Sequence, residues 1–381
     1  MRVVGVSPAD LTGWRTPGSG GKWAGVFRAL QAHFDVVEVL RADPPPLARA
    51  MQLAGKALRL APPRWDPKHF HSRTARLERR LRAWDGRFDL IFQMQTLCAP
   101  GTGARPYAIC TDSTHALMRR HDVTAPPIRG QEARQRQRLE REVMQGAQVV
   151  LTWSEFARRS IIDDYGCDPG RVVTVGAGAN FVVDEVPDRR GSPPVALFVG
   201  SDEFARKGGP VLLEAWAEVE RRVAGSRLVI AGPRRPIQSR AREVQWVGRV
   251  PRQDLAAYYR SASVFVLPSL FEPLGLVLLE AMGYGLPCVA SNCCAMPELV
   301  ADGRTGLLTP PGDAAALADA LVRLLSDPDL AAALGRAGHR ELVARHTWDH
   351  VGQRMARAIE TRRGRDAAAP RPLSVRATRP G

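Results

Sequence analysis

Val264 to Gly312 reads VFVLPSLFEPLGLVLLEAMGYGLPCVASNCCAMPELVADGRTGLLTPPG, and the fold follows from it. Val264 to Leu267 is an apolar run that Pro268 closes, and Leu276, Leu279 and Met282 then recur at helical spacing. A short apolar run cut by proline is a buried strand, and the period that follows it is a helix. Gly275 stands where the helix begins. Gly283, Gly285 and Pro287 end it before Pro287-Cys-Val-Ala resumes an apolar strand, as glycine and proline commonly do at a helix C-terminus. The unit is strand, loop, helix, strand.

Two carboxylates in this unit carry the functional information. Glu272 lies in the turn before the helix and Glu280 lies inside it. The first N–H groups of a helix have no partner within it, and the helix dipole adds to their attraction for a phosphate. At a rise of ~1.5 Å per residue, Glu280 stands roughly 7 Å along the axis from Gly275. One ligand could rest a diphosphate on the helix mouth, ribose hydroxyls near Glu280 and its other end near Glu272. An ionised carboxylate only accepts hydrogen bonds, so it orients sugar hydroxyls as donors. A nucleotide sugar has that shape; an exposed helix carrying two solvated acids is the plainer alternative.

The surrounding text is more specific: Glu272-Pro-Leu-Gly275, then Glu280-Ala-Met-Gly-Tyr-Gly-Leu-Pro287, Pro297-Glu298-Leu-Val and Gly303-Arg-Thr-Gly-Leu-Leu. This stretch closely resembles the donor-binding core of the family 4 retaining glycosyltransferases, whose signature is E-x7-E on a GT-B fold. The likeness is strongest here and weaker from Gln148 to Gly248. It implies an α/β protein of two Rossmann-like domains facing a cleft, with a C-terminal helix crossing back onto the first. The expected layout is an acceptor-side domain over 1–185, a linker over 186–194, a nucleotide-sugar domain over 195–346, a crossover helix over 347–363 and a disordered tail over 364–381. The linker, VPDRRGSPP within Val186 to Pro194, has proline, glycine and charge without an apolar period.

The resemblance also implies roles. Glu272 would hold the donor sugar and Glu280 the ribose, with Leu274 and Gly275 at the amide mouth. Lys207, before Gly208 in a loop that follows a strand, would bind the diphosphate, with Arg206 as a second cation. Gly248 would lie in a loop whose backbone reads the base. A glycine-rich loop, here Gly18, Gly20 and Gly21, borders donor phosphate and acceptor in the family, though the residues equally suit an ordinary turn. Family members often place a histidine at the end of a first-domain strand against the donor sugar. This chain has Asp112 and His115 there, and the sequence leaves open which one matches; helix capping by Asp112 or Ser113 competes. The implied chemistry is retaining transfer from a UDP-, GDP- or ADP-sugar to an acceptor hydroxyl in glycan, glycolipid or polysaccharide synthesis. No cofactor and no metal are expected, because Asp327-Pro-Asp329 has the Asp-x-Asp spacing but lies between surface helices, far in sequence from the site.

Composition bounds the rest. A chain of 381 residues, 45% hydrophobic and 24% charged, is globular and long for one core. The net charge of +15 raises nucleic acid, anionic lipid and phosphorylated substrates as partners. Arginine supplies most of it without a basic run interleaved with aromatics, so nucleic acid is set aside as a partner. Six cysteines, at 98, 110, 167, 288, 293 and 294, show no framework spacing, which fits reduced thiols in the cytoplasm. No apolar run approaches the ~20 residues of a membrane span. Two basic amphipathic segments from Leu47 to Arg87, split by Pro62-Pro63, could dock at the inner face of an anionic membrane or pack as ordinary helices, with Leu77, Leu81 and Trp84 on one face of the second. The expected partners are therefore a nucleotide-sugar donor and a glycan or lipid-linked acceptor. The rivals are a nucleotide-sugar epimerase on the same fold and a non-catalytic binder of polyanions.

Overall fold

A computed structural model describes residues 1–16, 21–42, 67–100, 105–121, 130–200, 203–233, 237–238 and 240–368. Among the described residues, twelve strands form two parallel sheets. The first contains β1 (Arg2–Ser7), β2 (Asp35–Arg41), β3 (Leu90–Met94), β4 (Tyr107–Thr111), β5 (Val149–Thr152) and β6 (Val172–Thr174), in the order β2-β1-β3-β4-β5-β6. The second contains β7 (Val195–Val199), β8 (Arg227–Ala231), β9 (Val244–Gly248), β10 (Val264–Leu267), β11 (Cys288–Ser291) and β12 (Gly306–Thr309), in the order β12-β11-β10-β7-β8-β9. The helices in chain order are α1 (Gly21–Gln31), α2 (Pro67–Arg82), α3 (His115–His121), α4 (Gly130–Gly146), α5 (Glu155–Asp163), α6 (Gly209–Arg222), α7 (Leu255–Ser261), α8 (Leu276–Gly283), α9 (Met296–Leu299), α10 (Ala314–Ser326), α11 (Pro328–Arg345) and α12 (Trp348–Ala368).

Helices cover both faces of each sheet, so its inner strands lose the polar alternation of a half-exposed strand. Every residue of β3, β4, β5, β10 and β11 is buried. This is why those strands read as continuous apolar runs. In each sheet the chain builds outward to one side and then returns to the other, leaving a switch point between β1 and β3 and between β7 and β10. Open α/β sheets bind ligands beyond the strand ends at such points. The loops after β7 and β10 carry Lys207 and Glu272 and flank the second switch point. This is a GT-B architecture of two α/β domains.

The C-terminal helix α12 packs against α1 of the first lobe. Val351, Met355 and Ile359 are buried in the core, a side chain at Gly25 or Gly178 would collide with the Trp348 indole, and Arg354 Nε donates to the Val175 carbonyl at 2.7 Å. Two expectations need correction. Helix α12 runs to Ala368, so residues 364–368 are helical. Arg365, Ala367 and Ala368 are good helix formers, and the cost of Gly364 is only ~1 kcal/mol. Trp84 lies beyond the end of α2 and is half-buried there, whereas Leu77 and Leu81 are fully packed. The remaining tail, 369–381, and the part of the basic segment at 47–66 lie outside the described residues.

Candidate active site

The mouth of α8 is built from a glycine and a turn. Gly275 caps the helix at φ +89°, a left-handed conformation that a residue with a Cβ adopts only at a cost. Leu274 beside it is buried. The loop after β7 is pressed against this turn, because Gly208, at φ +73°, leaves no room for a side chain next to the Pro268 carbonyl. The close approach brings Lys207 Nζ to 2.7 Å from Glu272 Oε2, with both side chains about nine-tenths buried. Arg206 braces the same turn. Its Nη1 donates to the Phe271 carbonyl at 2.6 Å, its Nη2 to Glu203 at 2.6 Å, and Glu272 Oε2 lies 4.0 Å away. Burial alone would raise the Glu272 pKa, but Lys207 and then Arg206 outweigh it and hold the carboxyl below its ordinary value. Glu272 is therefore ionised and paired.

Glu280 is buried one turn further in and gathers three donors from distant parts of the chain. Asn180 Nδ2 donates to its Oε1 at 2.7 Å, Arg252 Nη2 to the same oxygen at 3.0 Å and the Tyr259 hydroxyl to Oε2 at 3.2 Å. Burial, followed by the Glu280 charge, pushes the Tyr259 pKa well up, so the phenol stays a donor. Gly248, at φ +66°, ends β9, and its carbonyl accepts from Gly232 N–H at 2.7 Å.

Across the cleft, Asp112 follows β4. It accepts from Lys22 Nζ at 3.0 Å and from Gln95 Nε2 at 2.7 Å. Gln95 itself holds a left-handed φ of +64°, a strain that tends to cluster at functional sites. The Lys22 ammonium lies over the rings of Trp23 and Trp153, with centroids at 4.3 and 5.2 Å. Asp112 also bears electrostatically on Glu272, raising its pKa against the two cations. His115 points elsewhere. It is the first residue of α3, only 3% exposed, and its Nε2 is buried with no hydrogen-bond partner. Burial, with Arg136 and Arg119 next, lowers its pKa to about 3, so the imidazole is neutral. Both candidates line the cavity between the lobes, but only Asp112 joins the cluster with Lys22 and Gln95.

Of the glycine-rich loop, Gly21 opens α1 and faces the Arg252 guanidinium, which a side chain at that position would touch. Gly18 and Gly20 lie outside the described residues. The lobes meet elsewhere too. Glu298 accepts from the backbone N–H groups of Glu155 and Phe156 at 2.7 and 2.8 Å, which sets a carboxylate on the N-terminus of α5. His121 stacks on Phe271 with ring centroids 6.2 Å apart. Asn180, Arg252, Tyr259, Lys22 and Gln95 are the site residues that sequence reasoning missed. Asn180 and Gln95 each follow a strand, which was the available signal; Arg252 and Tyr259 carry none.

A family model described as Glycosyltransferase Family 4 matches residues 25–181, and one described as Glycosyl transferases group 1 matches residues 193–327. A phosphatidyl-myo-inositol mannosyltransferase of Mycobacterium leprae is 36% identical over 219 residues, covering 55% of this chain and 58% of that protein. A GDP-mannose-dependent alpha-(1-6)-phosphatidylinositol monomannoside mannosyltransferase of Mycobacterium tuberculosis is 34% identical over 179 residues, 43% of this chain and 46% of that one. The chain thus spans about half the length of these relatives. The structure of sucrose-phosphate synthase from Thermosynechococcus elongatus superposes with a TM-score of 0.70 at 22% identity, covering 97% of this chain and 100% of that one. That likeness speaks to the fold.

Proposed function

Since the chain belongs to the family 4 glycosyltransferases of GT-B fold, we propose that it moves a sugar from a nucleotide-diphosphate donor to an acceptor hydroxyl with retention at the anomeric carbon. The observation that carries this is the 2.7 Å pair of Lys207 and Glu272 at the mouth of α8. A cation, a helix N-terminus and a carboxylate meet at the strand-end switch point, where a sugar diphosphate needs all three.

As the glycosidic bond breaks, negative charge grows on the diphosphate while the sugar becomes cation-like. Lys207, Arg206 and the amides at Gly275 take the growing negative charge, an arrangement in which each donor typically supplies ~2.7–4 kcal/mol of barrier lowering. Glu272, released from Lys207 by the incoming phosphates, accepts from the sugar hydroxyls. Glu280 exchanges one of its protein donors for ribose. The loop at Gly248 offers backbone atoms to the base. No metal enters this scheme, because fixed protein charges cover the leaving group. The departing diphosphate takes the acceptor proton on the same face, so no protein base is required. The Mycobacterium tuberculosis relative is GDP-mannose-dependent, and the acceptor on this reading is a glycan or a lipid-linked molecule. The apolar face of α2 is packed inside the lobe, leaving the exposed Arg79, Arg80 and Arg82 to meet an anionic leaflet at ~1 kcal/mol each near the surface. That would seat the protein at the inner face of a membrane.

The test is incubation with UDP-, GDP- and ADP-sugars and an acceptor panel, followed by NMR of the product's anomeric proton. Acceptor-dependent release of nucleotide with an α-linked product from an α-donor is expected. An inverted product, or release unaffected by any acceptor, would sink the reading.

A further inference from the structure

Beside the Lys207–Glu272 pair a cavity of about 300 Å³ opens between the lobes, walled by Arg73, His115, Arg136 and Glu140 on one side and by Arg206 and Phe271 on the other. Its three carboxylates all have donors in the protein. Asp112 has Lys22 and Gln95, Glu203 has Arg206, and Glu140 has the Tyr165 hydroxyl at 2.5 Å, the His115 amide at 3.1 Å and Arg136 at 3.7 Å. Two nitrogens on the same wall are treated differently. Arg73 Nε and His115 Nε2 are both buried, and neither has a hydrogen-bond partner. Buried polar groups are nearly always satisfied, and one left unmade costs ~1–3 kcal/mol. Desolvation also lowers the Arg73 pKa, as it does for a cation short of countercharge. An orphaned guanidinium N–H beside an imidazole nitrogen that becomes a second donor in its Nε2–H tautomer is what an oxyanion would repay.

We propose that this cavity seats the acceptor through a phosphate ester, its oxygens taken by the Arg73 guanidinium and His115 Nε2–H, with a polyol hydroxyl directed past Asp112 toward the donor sugar. A phosphate suits the wall better than a carboxylate, because a planar guanidinium engages two oxygens and leaves a third for the imidazole. The volume is at the lower end of small-molecule sites and fits a phosphorylated ring or short polyol. A neutral acceptor would offer these nitrogens hydroxyl oxygens without a countercharge, so the cavity favours the anion. This inference rests on the transfer reaction proposed above and names the chemistry of its acceptor. The ester could be free in solution or the headgroup of a lipid.

The experiment uses the full chain, saturated with whichever nucleoside diphosphate it binds. Calorimetry compares myo-inositol 1-phosphate and sn-glycerol 3-phosphate with inositol and glycerol. Flotation compares phosphatidylinositol in phosphatidylcholine vesicles with phosphatidylcholine alone. The wild type should prefer a phosphorylated probe at least about tenfold, and Arg73→Gln should remove that preference while leaving nucleoside diphosphate affinity unchanged, since a charge-assisted hydrogen bond is worth about that factor. Arg73-dependent binding of a soluble ester assigns a free acceptor; dependence confined to vesicles assigns a lipid headgroup. Equal binding of ester and parent, no binding by either route, or full phosphate affinity in Arg73→Gln overturns the inference. Failure to bind any nucleoside diphosphate would instead strike the transfer reaction itself, which separates the two outcomes.

Discussion

The two walls of the cleft differ in how completely their polar groups are partnered. On the second lobe each functional side chain already has a partner: Lys207 with Glu272, and Glu280 with Asn180, Arg252 and Tyr259. On the first lobe, Asp112 is paired with Lys22 and Gln95, but Arg73 Nε and His115 Nε2 are buried and unpartnered. The difference separates two ways of recognising a ligand. Where protein partners are present, the site is preorganised and a ligand binds by exchange, so charges need not be reoriented at the moment of reaction. Where they are missing, the wall penalises any ligand that fails to supply them, which gives discrimination more than rate.

The largest effect should come from breaking the paired wall. Lys207→Ala and Glu272→Gln should each lower kcat about 10²–10³-fold, the usual cost of one transition-state donor. The double variant Lys207→Ala/Glu272→Gln should be little worse than either single one, because groups acting as a unit are non-additive. Single-turnover assays would show this, and full additivity would mean that the two act apart. Glu280→Gln should be next, raising the donor KM about tenfold with kcat little changed, because it loses charge-assisted bonds made equally in ground and transition states. A fall in kcat instead would move Glu280 into the chemistry.

The unpaired wall makes a pH-dependent prediction. His115 has a folded pKa lowered from 6.5 to about 3, so below pH 6.5 the unfolded chain takes up a proton that the folded chain refuses. Its contribution to stability is constant above pH 6.5 and falls as pH drops toward 3, by at most about 1.4 kcal/mol per pH unit. Urea unfolding of wild type and His115→Gln between pH 7 and 4.5 should show a shallower slope in the variant. Parallel slopes would mean that His115 is solvated. The smallest effect belongs to the lobe contact. Glu298→Ala removes the carboxylate that caps α5 and should cost ~1 kcal/mol, a typical cap, visible as a lower midpoint in thermal unfolding.

Much of this was legible in the sequence, for local reasons. Strands buried on both faces read as apolar runs, and the Pro268 to Gly275 turn marked a strand end feeding a helix, so both lobes and the α8 mouth could be derived. Lys207 and Glu272 were within reach because glycine signals flagged their loops, and Gly208 is the residue that lets those loops touch. What could not be read is convergence. Asn180 lies 100 residues from Glu280 in sequence, and no spacing announces such a contact. The choice between Asp112 and His115 also eluded the sequence. Three residues apart at a helix start, one pairs with Lys22 while the other is buried as the first residue of α3. The end of α12 was missed because a single glycine is weak punctuation in a run of good helix formers.

The most direct measurement is a calorimetric titration of UDP, GDP and ADP, each beside its nucleoside, onto the wild type and Lys207→Ala. At least one diphosphate should bind far more tightly than its nucleoside, and Lys207→Ala should erase most of that difference while leaving the nucleoside's weak binding alone. If no diphosphate outbinds its nucleoside, or if Lys207→Ala binds it as the wild type does, then the mouth of α8 is not a pyrophosphate site.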